Sequence, residues 1–415
     1  MLFKIKFTKS LYMIGLPKKV VFCSKCLLSN QKPVPTSEFK FKKNTKKLGN
    51  SLDKLHICNA CKFNDYKRKN IDWDKREKEL LKLLDKYRSK NGKNYDCIVP
   101  GSGGKDSRYT SHILKNKYGM NPLTVTWSPH MYTDIGIQNM KTWCDDIDNY
   151  LITPNRTVQR TLTKTAFINL LHPFQPFVFG QRFAAIRIAI QTGINLIFHG
   201  ESPFEYGTND LKSINASGFE KEYFAGSQNL SNIFLGGISA REHIKKNKLK
   251  YNDLKNYFPI DPVDLKKNKI NYKFLGYYIN WNPQEVYYYA VNKTGFLPNP
   301  ERTEGTYSKY ASLDDRIDGF HYYTSFIKYG LGRASMDASQ EVRNGQISKE
   351  EGLNLVKRYD GEFPQKYFEE VLDYMMIDKK IFWRTINKFR PKHLWKKNKN
   401  KWRLLHTAYE KPRDY

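Results

Sequence analysis

Apolar residues after Asp72 recur at helical spacing. Leu80, Leu81, Leu84 and Tyr87 share one face between charged residues, which predicts a helix capped by Asp72 and ended by Asn91-Gly92. A short apolar run follows, Cys97-Ile98-Val99, then a glycine turn, then a helical pattern from about Ser107 to Tyr118. Leu123 to Trp127, Tyr150 to Thr153 and Ile194 to Phe198 read as further strands, and Phe183 to Gln191 as a helix. Strands alternating with helices predict an α/β fold, a parallel sheet with helices on both faces, whose ligands bind beyond the carboxyl ends of the strands. Phe274 to Trp281 reads as one more strand-like run. Gln284 to Val291 and Gln365 to Met376 read as helices, so the C-terminal region is expected to be rich in helix.

Four regions follow from these patterns. Residues 1–70 carry cysteine pairs among lysines and turn formers, residues 71–210 hold the alternating core, residues 211–270 are polar and lysine-rich, and residues 271–415 continue the main domain. The third region is expected to be an insertion or a cover. A chain of 415 residues with 40% hydrophobic content supports two or three domains. No apolar stretch reaches the roughly 18 residues a membrane span needs, and lysines break the segment Met1 to Tyr12, so the expectation is a cytoplasmic protein with no membrane partner.

The formal charge of +30 attracts polyanions, whether nucleic acid, an anionic membrane or phosphorylated small molecules, unless it is only a solvated lysine surface. Residues 1–70 hold 17 Lys and Arg against 3 Asp and Glu, and Lys392 to Arg403 forms a second basic cluster.

Cys23-x-x-Cys26 and Cys58-x-x-Cys61 supply four thiolates at a spacing suited to tetrahedral Zn²⁺, each pair beside a lysine. The reading is a four-cysteine structural zinc module, with an iron–sulfur or redox role as the alternative. Its spacer is longer than that of a usual zinc ribbon.

The turn after Val99 contains Ser102-Gly103-Gly104-Lys105-Asp106-Ser107. Two glycines between small hydroxyl residues let backbone N–H groups converge on phosphate oxygens, and the next helix adds its positive end. The Walker loop is excluded, because Val99 and Asp106 stand where it needs Gly and Ser or Thr. The string resembles the signature of the PP-loop ATP pyrophosphatases, which cut ATP into AMP and pyrophosphate. That resemblance implies that Ser102, Gly103, Gly104 and Ser107 hold the pyrophosphate, that Lys105 offsets its growing charge, and that Asp106 positions Mg²⁺ or the loop. Thr126 and Trp127, ending the next strand, are candidates for the adenine side.

Two further segments are dense in charge and glycine. His199-Gly200-Glu201-Ser202-Pro203-Phe204-Glu205-Tyr206-Gly207 follows a buried strand, and the block from Arg302 to Glu341 contains Lys309, Asp314-Asp315-Arg316-Ile317-Asp318-Gly319, Arg333 and Asp337. Together with the cysteine pairs, Ile71-Asp72-Trp73 and the glycine loop, they resemble the bacterial N-acetyl sugar amidotransferases of surface-polysaccharide and nonulosonic-acid pathways over nearly the whole chain. The resemblance implies conversion of an acetamido group on a nucleotide-activated sugar to an acetamidino group through an adenylated intermediate. Glu201 joins Lys105 and Asp106 as a catalytic candidate. Glu205, Tyr206, Arg302, Lys309, Asp315, Arg333 and Asp337 are candidate substrate contacts from their setting.

Glutamine hydrolysis needs an activated cysteine. Cys97 lies inside an apolar strand, and Cys144 sits beside Asp145 and Asp146, which blunt it. Ammonia is therefore expected to arrive free or from a partner, and the resemblance implies glutaminase and barrel subunits similar to those of imidazole glycerol phosphate synthase. A tRNA-thiolating PP-loop enzyme is the alternative, and a nucleic-acid module with a dead loop is a third reading that the intact Lys105, Asp106 and Ser107 disfavour.

Overall fold

The computed structural model describes residues 16–33, 49–206, 214–399 and 401–410. The reading of Met1 to Tyr12, the cysteine spacer 34–48 and Gly207 lie outside the described residues.

A five-stranded parallel sheet forms the centre. Its strands are β1 (Cys97–Pro100), β2 (Pro122–Trp127), β3 (Asn149–Ile152), β4 (Leu196–His199) and β7 (Asn271–Phe274), in the order β3-β2-β1-β4-β7, while β5 (Phe234–Leu235) and β6 (Ile238–Ser239) form a separate hairpin. Alternation along the strands feeds two cores, because successive side chains point to opposite faces. Ile98 and Ile197 pack with Leu123, Val125 and Trp127 against α5 (Arg156–Leu170) and α6 (Gln175–Thr192). Cys97, Val99, Leu196 and Phe198 face the opposite core, with Leu80 and Leu84 of α2 (Trp73–Tyr87) and with Ile113 and Leu114, which follow α3 (Lys105–His112). Asp72 caps α2 by accepting from the Lys75 N–H. Leu81, expected on the buried face, is exposed, because the face that meets the sheet is centred on Leu80 and Leu84, with Leu83 and Tyr87 at its edge.

Two expectations change. The strand-like run Phe274 to Trp281 is a strand only to Phe274 and then turns into α10 (Leu275–Tyr278). Residues 214–270 are no mere cover. They carry the β5–β6 hairpin, α7 (Ala240–Asn247), α8 (Tyr251–Leu254) and α9 (Pro262–Asn268), and bury Phe224, Leu235, Phe258, Ile260 and Leu265 in the α6-side core. Their lysines lie outward and mask this in a linear reading.

Before the sheet, α1 (Asn59–Asn70) belongs to the cysteine module, and α4 (Asp134–Cys144) packs behind the glycine loop. The C-terminal region is helical: α11 (Pro283–Lys293), α12 (Asp318–Tyr329), α13 (Arg333–Asn344), α14 (Lys349–Tyr359), α15 (Phe368–Met375) and α16 (Lys379–Lys388), closed by the hairpin of β8 (Trp395–Asn398) and β9 (Lys401–Leu404). No helix among the described residues is long and apolar enough to cross a membrane.

Candidate active site

The glycine loop leaves the carboxyl end of β1 and enters α3. Gly103 has φ +81°, a left-handed conformation, and a Cβ there would stand 3.1 Å from the Asn139 carbonyl oxygen, so a side chain is strained on both counts. The loop is tied from behind by Arg108, a residue the sequence reading passed over. Its Nε donates to the Gly103 carbonyl at 2.9 Å, and its terminal nitrogens reach the carbonyls of Thr294 and Asn139 and the Thr142 hydroxyl. Arg108 is 1% exposed, and burial pulls its pKa down to about 10. An arginine just after the loop was the only available signal.

Beyond the loop lies a cavity of about 550 Å³. Ser102, Gly104, Lys105 and Asp106 form one wall, Glu201 and Tyr206 a second, and Asp314, Asp318, Tyr322, Arg333, Asp337 and Glu341 a third. Lys105 Nζ lies 2.6 Å from Asp106 Oδ1. Burial pushes the Asp106 carboxyl up, with Lys105 opposing and Glu201 adding to it. Burial also works to raise Glu201, but His199, Lys105 and the Tyr206 hydroxyl, which donates at 3.2 Å, hold it below the usual range. Asp106 and Glu201 thus differ in proton affinity within one cleft, an arrangement suited to a cation and a proton acceptor side by side.

The third wall is built by two helix starts. Asp318 opens α12, and burial raises it to about 7 against the pull of Arg333. Asp314 stands beside Ser102, and burial raises it too. Arg333 opens α13, pairs with Asp337 at 2.9 Å and lies over the Tyr322 ring at 4.4 Å. Asp360 fixes this start by accepting from the Gly332 and Ser335 N–H groups at 2.9 and 3.1 Å and from the Ser335 hydroxyl at 2.6 Å. Asp337 also accepts from the Thr306 hydroxyl at 2.7 Å.

The structure brings Ser102, Gly104, Lys105, Asp106, Glu201, Tyr206, Arg333 and Asp337 to one cavity; Ser107 turns back to bond the Gly104 carbonyl at 3.1 Å. Thr126, Trp127, Glu205, Arg302 and Lys309 do not line the cavity. Trp127 and Thr126 lie in the core: the Trp127 indole rests on the bare backbone of Gly180, and the Thr126 hydroxyl accepts from Asn149 at 2.9 Å. Glu205 is buried in an ion pair with Lys67 at 2.8 Å. Arg302 grips Glu362 on the surface through two bonds of 2.7 and 2.8 Å, and Lys309 is exposed and donates to the Pro300 carbonyl at 2.8 Å. Asp315 borders the cavity, but one carboxylate oxygen accepts from the His130 N–H and ring nitrogen, both at 2.7 Å, and the other from the Ile317 N–H. Apart from Trp127, which is held by packing, each forms hydrogen bonds or ion pairs inside the protein that local sequence does not reveal. Asp314, Asp318, Tyr322 and Glu341, not singled out beforehand, supply much of the wall instead.

The four cysteines converge as expected. All four are buried with sulfurs within 4.8 Å of one another, Cys23 to Cys61 at 3.8 Å and Cys26 to Cys58 at 3.6 Å. A tetrahedron of thiolates about 2.3 Å from one ion has edges of about 3.8 Å. The set fits a single tetrahedral metal ion, since cluster-bound sulfurs stand farther apart and a disulfide is far shorter. Cys97 is sealed in the sheet, and Cys144, at the exposed end of α4, is raised by burial and Asp145; neither borders the cavity.

Residues 304–409 match the family model described as the C-terminal domain of WbpG-like LPS biosynthesis proteins. The matched residues include the cavity wall from Tyr310 to Glu341. No curated protein matches. Among solved structures, NMN synthetase from Francisella tularensis aligns at 12% identity and TM-score 0.31, over 68% of this chain and 96% of that one. NH3-dependent NAD synthetase from Campylobacter jejuni aligns at 19% identity and TM-score 0.25, over 48% and 85%. The U34-tRNA thiolase NcsA from Methanococcus maripaludis, solved with its 4Fe-4S cluster, aligns at 13% and TM-score 0.24, over 74% and 91%.

Proposed function

We propose that the chain is the synthetase subunit of an ATP-dependent, AMP-forming amidotransferase acting on an acetamido group of a nucleotide-activated sugar. The observation that carries the reading is the joining of an intact Ser-Gly-Gly-Lys-Asp-Ser loop to a wall contributed by a WbpG-like domain in one cavity. In this reading the acetamido oxygen attacks the α-phosphorus of ATP and pyrophosphate leaves. Ammonia then adds to the activated carbon, the carbon–oxygen bond breaks, AMP departs with that oxygen, and an acetamidino group remains.

The residues divide the work. Backbone N–H groups of the loop and Lys105 bind the departing pyrophosphate, where charge develops. Asp106 and Asp314, which line the same cavity, would hold the Mg²⁺ that accompanies ATP. Glu201, whose proton affinity is lowered, would accept a proton from ammonia as the carbon–nitrogen bond forms. Asp318, Tyr322, Arg333 and Asp337 offer donors and acceptors for sugar hydroxyl and acetamido groups. The four cysteines would hold zinc in a structural role. Neither cysteine outside that set borders the cavity, so ammonia comes from solution or from a partner glutaminase with its barrel subunit, in a cytoplasmic setting. The tRNA-thiolase alternative lacks a sulfur-carrying cysteine at this cavity.

The test is mass spectrometry of the purified protein with Mg-ATP, ammonium and a panel of nucleotide-activated di-N-acetyl sugars. A product lighter by about one mass unit, as O becomes NH, with matching AMP and loss of both in Lys105→Ala, is the expected result. Formation of ADP refutes the loop chemistry, and AMP formed only with tRNA and a sulfur donor selects the thiolase.

A further inference from the structure

A short path of buried bonds joins the cysteine centre to the turn Pro203–Tyr206, which follows Glu201 and ends on Tyr206. Arg343, at the end of α13, stands between them: one terminal nitrogen donates to Cys26 Sγ at 3.8 Å and the other to the Glu205 carbonyl at 2.9 Å. Its own carbonyl accepts from Asn64 and from Arg68, the latter at 3.0 Å, both on α1. On the same helix, Lys67 pairs with the Glu205 carboxylate at 2.8 Å and donates to the Trp281 carbonyl at 3.0 Å. Phe63 packs on Phe204 with centroids 5.7 Å apart, and Lys32 donates to the Tyr206 carbonyl. The module thus grips the outer side of the turn Pro203–Tyr206. The inner side presents Tyr206 to Glu201 in the cavity.

Among its described residues the module has little apolar core besides the cysteines themselves, and α1 begins directly after Cys58 and includes Cys61. Its fold therefore depends on what the four sulfurs bind. If α1 loses its place, the Glu205 carboxylate, 4% exposed, stays buried without its cation unless the turn opens to water.

We propose that the four-cysteine centre positions Glu201 and Tyr206, with Arg343 and Lys67 as the positioning residues that transmit its order to the turn. This rests on the reading of Glu201 as an active-cavity group. It predicts that metal loss loosens the turn while the glycine loop, held separately by Arg108, stays in place.

Hydrogen exchange on the full-length protein tests it through two windows, residues 200–206 and residues 101–107, alongside metal content and AMP release. Removing metal with a chelator should speed exchange in the first window by about tenfold or more, the factor expected from losing one hydrogen bond to a charged group, and leave the second unchanged. The charge-neutral double variant Lys67→Met/Glu205→Gln should do the same with its metal retained, and should lower AMP release by roughly tenfold or more through misplacement alone. Unchanged protection of 200–206 after metal loss overturns the proposal. Should chelation unfold the whole chain, the double variant decides: selective loosening of 200–206 supports the path, whereas no loosening or equal loosening of both windows overturns it. Failure of the amidotransferase reading is distinct, appearing as absent AMP with the exchange pattern intact.

Discussion

Replacing Arg108 with Met should weaken both the fold and the grip on ATP. The guanidinium makes four hydrogen bonds, three of them to backbone carbonyls of Gly103, Asn139 and Thr294, and it is 1% exposed. At about 1.5 kcal/mol for each bond to a charged group, the set contributes about 6 kcal/mol. Keeping the charge out of water opposes this: a pKa drawn from 12.5 to about 10 corresponds to about 3 kcal/mol. Methionine fills much of the volume but makes none of these bonds, so the net loss should be about 3 kcal/mol. Because Gly103 is one of the released carbonyls, Mg-ATP should bind roughly tenfold or more weakly. Urea unfolding measures the first quantity and titration calorimetry with Mg-ATP the second. A variant that keeps wild-type stability and ATP affinity would refute the assignment of Arg108 as the tie of the loop. Loss of stability with unchanged affinity would show that the loop holds its shape without it.

Other outcomes follow from the corrected site. Trp127→Phe should cost about 1–2 kcal/mol of stability by leaving space against Gly180, yet leave the KM for ATP within about twofold; a large rise in KM would return Trp127 to the adenine pocket. Arg302→Ala should leave turnover within about twofold, because the pair with Glu362 is at the surface, and steady-state AMP release checks this. Asp318, raised to about 7 by burial, contributes stability that is present at low pH and lost as pH rises from about 4 to about 7, so urea midpoints should show a steeper decline over that window in the wild type than in Asp318→Asn, by on the order of 2 kcal/mol after allowing for partial exposure. Elemental analysis should find one metal ion per chain, lost in Cys58→Ser; two or more iron atoms per chain would replace the single-ion reading with a cluster.

Sequence by itself determined what depends on near neighbours along the chain. The short runs Cys97-Ile98-Val99 and Leu123 to Trp127, bounded by turn formers, marked buried strands, and the paired glycines of the loop permit a backbone that other residues resist. The two Cys-x-x-Cys pairs likewise specified their own convergence. Tertiary structure alone decided which charged side chains serve the cavity and which are consumed by partners. Lys67 and Glu205 lie 138 positions apart, and His130 and Asp315 lie 185 apart, so no local pattern marks either pair. Asp314 and Asp318 sat in the same charged string as Asp315, and only the way α12 starts against Ser102 and Arg333 turns them inward. Residues 214–270 show the same limit: their lysines dominate a linear reading, whereas the few apolar side chains between them decide where the segment packs. Burial of an apolar face is encoded by spacing, but the fate of a charge depends on what the fold places opposite it.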